Sequence, residues 1–381
     1  MQRRIFTEDH DAFREVVRRF CEQEIAPFTE RWEADGIVPR DVWKKAGETG
    51  LIGIDMPAEH GGGGVDDYRY YAVIDEELAR IGEAGFGLPA HNDIMLPYFK
   101  HLANDEQASR WFPGLCSGDL VAAVAMTEPG TGSDLAAVTT TAIRQDDGSF
   151  LLNGSKTFIT NGIHADVVIV VAKTDPDARH RGISLMIVER GMAGFERGRK
   201  LDKIGCPSQD TAELFFTDVR VPAENLLGEE GAGFGYLMRN LAQERLLVGV
   251  QAAAAVERML RLTLAYVTER EAFGQVIGSF QHSRFEMAEM QTLATVLRTF
   301  VDECIRTHVD GDLTAEQAAM AKWWSTDVAN DVASRCLQLF GGYGYMKEYP
   351  ISRMWRDARV ASIYAGTNEI MKEIIGRSMG L

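Results

Sequence analysis

FGYLMRNLAQERLLVGVQAAAAVERMLRLTLAYVTER, running from Phe234 to Arg270, is the stretch whose reading decides the fold. Leu237, Leu241, Val248, Ala252, Ala255, Met259, Leu262 and Tyr266 recur at three- and four-residue steps, which sets one face of a long helix against a core. Glu244 interrupts the stripe between Leu241 and Val248. A glutamate is almost never fully buried without a partner, so a carboxylate on a core-facing stripe is informative. Desolvation raises the pKa of such a group, and a carboxylate tuned that way can serve as general base on a weakly acidic proton. The spacing leaves a second reading open, an ion pair with Arg245 or with an arginine from elsewhere.

Outward from this helix, no proline occurs between Pro222 and Pro350, and the span is rich in Ala, Leu, Met, Glu and Arg. That composition predicts helices near 234–270, 280–309, 314–340 and 368–378, packed as a bundle, with Gly311 at one turn and Asn368 opening the last helix. Before Pro222 the character is different. Val167–Val171 and Ile183–Val188 are short β-branched runs, and Thr139 to Thr160 reads as a hairpin turning at Asp146-Asp147-Gly148. With Asn-Gly at 153–154 and 161–162, these runs predict an antiparallel sheet. The first part reads as mostly helical: Thr7 precedes a face of Phe13, Val16, Val17 and Phe20, which is a helix start and not a signal peptide. Loops are expected at Pro39, at Pro57 to Gly64 and at Pro89. Within the second, His60-Gly61-Gly62-Gly63-Gly64 reads as a flexible loop, because a phosphate cradle would need a following Lys and a preceding strand. The fold class is therefore α+β in three domains: helices over 1–118, a β domain over 119–227, and a four-helix bundle over 228–381.

Composition excludes several function classes. The 381 residues are 45 % hydrophobic and 25 % charged, which suits folded domains with a large core. A net charge of −16 repels nucleic acid and anionic membrane surfaces, and no apolar run is long enough to span a bilayer. Cys21, Cys116, Cys206, Cys304 and Cys336 are odd in number and widely spread, as expected of reduced thiols in a cytoplasm. Neither they nor the eight histidines show metal-ligand spacing, so no metal is expected.

Five motifs, in order, carry a resemblance. They are Met126-Thr127-Glu128-Pro129-Gly130-Thr131-Gly132-Ser133-Asp134, Lys156-Thr157-Phe158-Ile159-Thr160-Asn161-Gly162, Arg270-Glu271-Ala272-Phe273-Gly274, Gln338-Leu339-Phe340-Gly341-Gly342-Tyr343-Gly344 and Ile363-Tyr364-Ala365-Gly366-Thr367-Asn368-Glu369-Ile370. Through them the chain resembles the acyl-CoA dehydrogenase family over nearly its whole length. The resemblance implies bound FAD, a fatty acyl-CoA substrate, an electron-transferring flavoprotein as acceptor and a homotetramer built as a dimer of dimers. It also implies the reaction: a carboxylate takes the α-proton, the β-hydrogen leaves as hydride, and a trans-2-enoyl-CoA remains.

Many family members place the base just before the Gly-Thr of the last motif, where this chain has Ala365, whose methyl cannot take a proton. The long-chain and isovaleryl branches, which this sequence resembles most, carry a Glu at the Glu244 position instead, and that resemblance assigns Glu244 the catalytic role. Ala365 keeps a backbone N–H able to donate to the thioester oxygen, where charge develops as the proton leaves.

The resemblance assigns flavin contacts to Met126, Thr127, Gly132 and Ser133, although this run alone reads equally as a surface turn. It places Phe158 and Thr160 beside the ring; by itself Phe158 reads as core. Arg270, Phe273, Gln281, Gln338, Gly341 and Gly342 resemble the clamp on the adenosine and pyrophosphate, and Thr367, Asn368 and Glu369 of the last motif complete the implied flavin contacts. Arg270 stands about seven turns beyond Glu244, roughly 39 Å on a continuous helix, farther than one FAD reaches. Its cofactor should therefore belong to a neighbouring subunit; the plainer reading is a surface arginine paired with Glu269 or Glu271. Ser133, Arg245 and Tyr364 are candidates for substrate contacts, Arg245 equally for a structural ion pair. Gly249 and the side chains from Leu96 to Phe99 are candidates for chain-length selection by analogy of fold. Two competing functions stand beside the dehydrogenase: an oxidase returning electrons to oxygen, and a silent flavin-holding scaffold.

Overall fold

Thr7 leads into helix α1 (Glu8–Phe20), its backbone N–H donating to His10 Nδ1 at 3.2 Å. Helices α2 (Thr29–Asp35), α3 (Arg40–Glu48), α4 (Arg69–Ile81), α5 (Leu88–Ala90), α6 (Leu96–Leu102) and α7 (Asp105–Ser117) complete a first helical layer. The structure is a computed structural model that describes residues 3–381. Pro89 is not in a loop as expected: it sits in the first turn of α5, where a missing N–H costs nothing. From α5 the chain passes through a π turn, His91–Met95, into α6.

The glycine run is a loop, but a packed one. Gly63 N–H donates to Gly53 O and Gly64 N–H to Met56 O, and a Cβ on Gly62 would stand 2.3 Å from Met56 O. Glycine is needed here for close approach of two backbones. Gly118, ending α7 at φ +76°, is constrained twice, because a Cβ there would also lie 2.3 Å from Trp43 O. We expect Gly118→Ala to lower the unfolding free energy by about 2–3 kcal/mol, read from the denaturant midpoint.

The middle layer is one sheet of eight strands: β1 (Ala122–Ala125), β2 (Thr141–Arg144), β3 (Phe150–Ile159), β4 (Val167–Lys173), β5 (Ile183–Glu189), β6 (Phe195–Lys200), β7 (Ala212–Val221) and β8 (Leu226–Leu227). Its order is β6-β7-β3-β2-β4-β5-β8, with β1 also on β4. Most pairings are antiparallel, including the β2–β3 hairpin with Ala142 opposite Leu152; β1 and β2 meet β4 in parallel. β4 explains its own unbroken apolar sequence. Val167, Ile169 and Val171 join the core shared with the helices, while Val168 and Val170 join a second core on the other face.

Helix α8 (Gly233–Glu269) opens the last layer, followed by α9 (Gln281–Val309), α10 (Ala315–Phe340), α11 (Pro350–Ala358) and α12 (Asn368–Ser378). The single-stripe reading of α8 was too narrow. From Glu244 to Ala254 every residue except Gln251 is buried, because α8 packs against α4, α9 and α10 at once. α11 is an addition to the expected helices: Pro350 begins it at a position where proline is tolerated. No helix among the described residues is long and apolar enough to cross a membrane.

Candidate active site

Glu244 lies in the first half of α8, at the start of its buried run, and is 4 % exposed. Burial pushes its carboxyl up to about pKa 7, against the opposing pull of a hydrogen bond from Tyr98 and the charge of Arg245. Tyr98 O–H donates to Glu244 Oε1 at 3.0 Å, from α6 and 146 residues away in sequence. The ion-pair reading fails for Arg245: no salt bridge joins it to Glu244 among the described residues, and its own Nε is buried without a hydrogen-bond partner. The neighbouring Gln243 donates to Asp93 O at 3.0 Å, in the π turn before α6. Two successive residues of α8 are thus tied to one short segment of the first layer.

Across α8, Gly249 faces α10, where a Cβ would come 3.5 Å from Ala321 O. One residue on, Lys322 is wholly buried, and its Nζ donates to Gly366 O and Asn368 Oδ1, both at 2.8 Å. Burial lowers its pKa to about 8. Lys322 therefore pins the last motif to the bundle beside α8. In that motif Ala365 holds φ +52° ahead of Gly366 at φ +85°, Tyr364 is 42 % exposed, and Thr367 caps α12 by accepting from Ile370 N–H. Asn368 is buried, its amide donating to Asp327 Oδ1 at 2.8 Å and Thr326 Oγ1 at 3.0 Å. Glu369 is exposed in the first turn of α12.

The Met126–Asp134 loop leaves β1 and is held from beneath. Glu128 accepts from Thr139 N–H and O–H at 2.7 and 2.6 Å, from Thr140 N–H at 2.9 Å, and from Lys156 Nζ at 2.9 Å. These donors bring its pKa down to about 2, although burial opposes them. Lys156 has only Glu128 and the Met126 carbonyl to offset complete burial, and its pKa falls to about 8. Thr157 N–H donates to Thr127 O at 2.9 Å, so the loop and the Lys156–Gly162 motif are one unit. On it Gly132 and Ser133 are exposed, and Phe158 is not core: at φ +60° its ring is 67 % exposed. The left-handed backbone turns the side chain off the sheet.

The remaining predicted contacts gather at the far end of α8. Arg270 is exposed, its guanidinium 5.5 Å from the Tyr343 ring centre, and it pairs with neither Glu269 nor Glu271 among the described residues. With Gln338, Gly341 and Gly342 it lines an open cleft of about 570 Å³. Phe273 is 96 % exposed at φ +53°, and Gln281 is exposed at the start of α9. α8 is continuous from Glu244 to Glu269, so this group and Glu244 stand roughly 38 Å apart. Sequence reasoning missed Tyr98, Lys156 and Lys322. Lys322 was findable, since a charge amid the small residues of Ala318, Ala319 and Ala321 breaks a buried face as Glu244 does.

Helices, a mostly antiparallel sheet and a helical bundle, with an exposed aromatic loop on the sheet and a buried carboxyl on the long helix, are the three-layer arrangement that the resemblance to flavin-dependent dehydrogenases implies. Family models for the N-terminal, middle and C-terminal domains of acyl-CoA dehydrogenase match residues 7–119, 123–219 and 231–380. The chain belongs to the acyl-CoA dehydrogenase family and is an FAD-dependent acyl-CoA dehydrogenase. It is 50 % identical to the long-chain specific acyl-CoA dehydrogenase, mitochondrial, of Sus scrofa over 379 residues, 99 % of this chain and 88 % of that one. It matches the crystal structure of an acyl-CoA dehydrogenase from Geobacillus kaustophilus with TM-score 0.98 and 50 % identity over 100 % of both chains. A glutaryl-CoA dehydrogenase from Mycobacterium smegmatis, solved in complex with FADH2, matches with TM-score 0.90 and 26 % identity over 98 % of this chain and 95 % of that one.

The residues present fit an FAD. An exposed phenylalanine on a strained backbone offers an apolar edge for a flat ring. At the other end, Gly341 and Gly342 have nothing within 4 Å of a would-be Cβ, which leaves room for an anion beside Arg270.

Proposed function

We propose that this enzyme dehydrogenates long-chain fatty acyl-CoA thioesters to trans-2-enoyl-CoA and that Glu244 removes the α-proton. The observation that carries the reading is a buried carboxyl held near pKa 7, which is largely ionised at mildly alkaline pH yet basic enough to take a proton from carbon. Bound FAD supplies the acceptor for the hydride from the β-carbon. The chain does the rest. Glu244 Oε2 or Oε1 receives the α-proton, and the Ala365 N–H donates to the thioester oxygen, as the resemblance implies. Arg245, Ser133 and Tyr364 hold the CoA arm, with Arg245 Nε, unpartnered and buried, available to it. Met126, Thr127, Gly132, Ser133, Phe158 and Thr160, with Thr367, Asn368 and Glu369 of the last motif, would hold the flavin end of the cofactor. Arg270, Phe273, Gln281, Gln338, Gly341 and Gly342 would hold the cofactor of a neighbouring copy, because α8 separates them from Glu244. That division requires at least two copies; the resemblance implies a homotetramer, a dimer of dimers, with an electron-transferring flavoprotein as acceptor. The three domains of this reading span 1–118, 119–227 and 228–381. For the compartment, five buried free cysteines suit a reducing cytoplasm, whereas the long-chain relative is named as mitochondrial.

The test is anaerobic mixing of the FAD-loaded enzyme with palmitoyl-, isovaleryl- and butyryl-CoA while flavin absorbance is followed. Palmitoyl-CoA should bleach it fastest, and no bleaching by any of the three would refute the reading. The rate with palmitoyl-CoA should rise through an acid limb centred near pH 7, because only ionised Glu244 accepts the proton. A limb centred near pH 4.5, the ordinary glutamate value, would contradict the burial argument.

A further inference from the structure

We infer that Tyr98 is a positioning residue for Glu244: its hydroxyl aims the carboxylate and stabilises its ionised form. The inference rests on Glu244 being the base. Tyr98 itself is wholly buried, so this O–H has no water to turn to, and its donation to Glu244 Oε1 at 3.0 Å is a committed bond. A single bond would leave the carboxylate free to pivot about it. The geometry removes that freedom by fixing both elements. Gln243 donates to Asp93 O, and His308 Nε2 lies 3.1 Å from Gln243 Oε1, so three elements meet at the residue next to Glu244. The π turn His91–Met95 widens the helix by one residue just before Tyr98, which re-aims the tyrosine, and such turns recur at functional sites.

The charges around the pair come from every element packed on it. Arg245 of α8 pulls the carboxyl down, and the same guanidinium lowers the pKa of Lys322 of α10. Asp93 of the π turn and Asp75 of α4 are both buried with unpartnered oxygens, and burial pushes both well up. Burial disfavours the charged form of both, and neither is among the groups that shift the Glu244 carboxyl. Burial lowers the pKa of His308 of α9 and so favours its neutral form. Tyr98 is therefore the one uncharged group that discriminates between the two protonation states of Glu244. A hydrogen bond to a charged group outweighs one to a neutral acid by enough to move a pKa by about one unit.

The experiment compares the FAD-loaded parent, Tyr98→Phe and Glu244→Gln. In Tyr98→Phe the acid limb of flavin reduction by palmitoyl-CoA should move up by about one pH unit, with a rate about fivefold below parental at pH 7 and near parental at pH 9. Infrared titration gives a readout independent of turnover. The carboxylic C=O band that Glu244→Gln lacks should titrate about one pH unit higher in Tyr98→Phe than in the parent. Should Tyr98→Phe fail to fold, 3-fluorotyrosine placed at position 98, a stronger donor, should move both limb and band downward instead. A limb and band that stay at parental pH in Tyr98→Phe, or in the fluorinated protein where that one decides, would overturn the inference, as would a rate loss that pH 9 does not restore. These outcomes are separate from failure of the parent reading, which would show as parental reduction by Glu244→Gln.

Discussion

Glu244→Gln is expected to bind FAD and acyl-CoA as the parent does and to lose flavin reduction by about 10²–10⁴-fold, the range a positioned general base contributes. The amide keeps the shape of the side chain and can still accept from Tyr98, so the α6–α8 contact survives. What it loses is the capacity to hold a proton. The fold should not suffer. Burial raises the folded carboxyl from 4.5 to about 7, so between those values the folded enzyme holds a proton that the unfolded chain has released. Stability contributed by Glu244 is thus present below pH 4.5 and is lost as pH rises through 7. Glutamine has no charge to bury, and at pH 8 the variant should unfold at the parental denaturant concentration or above it. Near-parental reduction by this variant would mean that another group removes the proton.

The second large effect concerns the Met126–Asp134 loop. Lys156→Met should lower the unfolding free energy by about 3–5 kcal/mol, because it leaves the Glu128 carboxylate buried without its cation. FAD content should fall with it, since the Met126 carbonyl loses its donor and the loop its anchor. The double variant Glu128→Gln/Lys156→Met leaves no uncompensated charge and should recover more than half of the stability, a coupling that single variants cannot reveal. Glu128 also sets an acid limit. Its folded pKa is depressed from 4.5 to about 2, so its stabilisation is full above pH 4.5 and disappears as pH falls through 2. FAD content and denaturant midpoints equal to parental in Lys156→Met would show that the loop is held some other way.

The helical bundle was legible because proline punctuates this sequence sparsely. The four predicted segments agree with α8, α9, α10 and α12 to within about one residue at each end. The same rule misled at Pro89, which read as a loop and instead sits in the first turn of a helix, and it did not foresee the helix that Pro350 begins, since a first-turn proline gives up an N–H that has no intrahelical partner. Glu244 was legible as a charge in an apolar stripe. Tyr98 was not, because its partner is 146 residues away and nothing local distinguishes it from a core tyrosine. Phe158 shows the opposite error: composition predicts burial, but a positive φ, invisible in the sequence, turns the ring outward. Helix α8 itself reads as one-sided only because alanines at 252–255 fit equally well against neighbours on every side.

Proton removal can be isolated from hydride transfer with a 3-thia acyl-CoA, in which sulfur replaces the β-carbon and no hydride is available. With this analogue deuterated at the α-carbon, the FAD-loaded parent should wash the label into water, and Glu244→Gln should retain it at the background rate. Loss of label from Glu244→Gln at near the parental rate would contradict the assignment of the base.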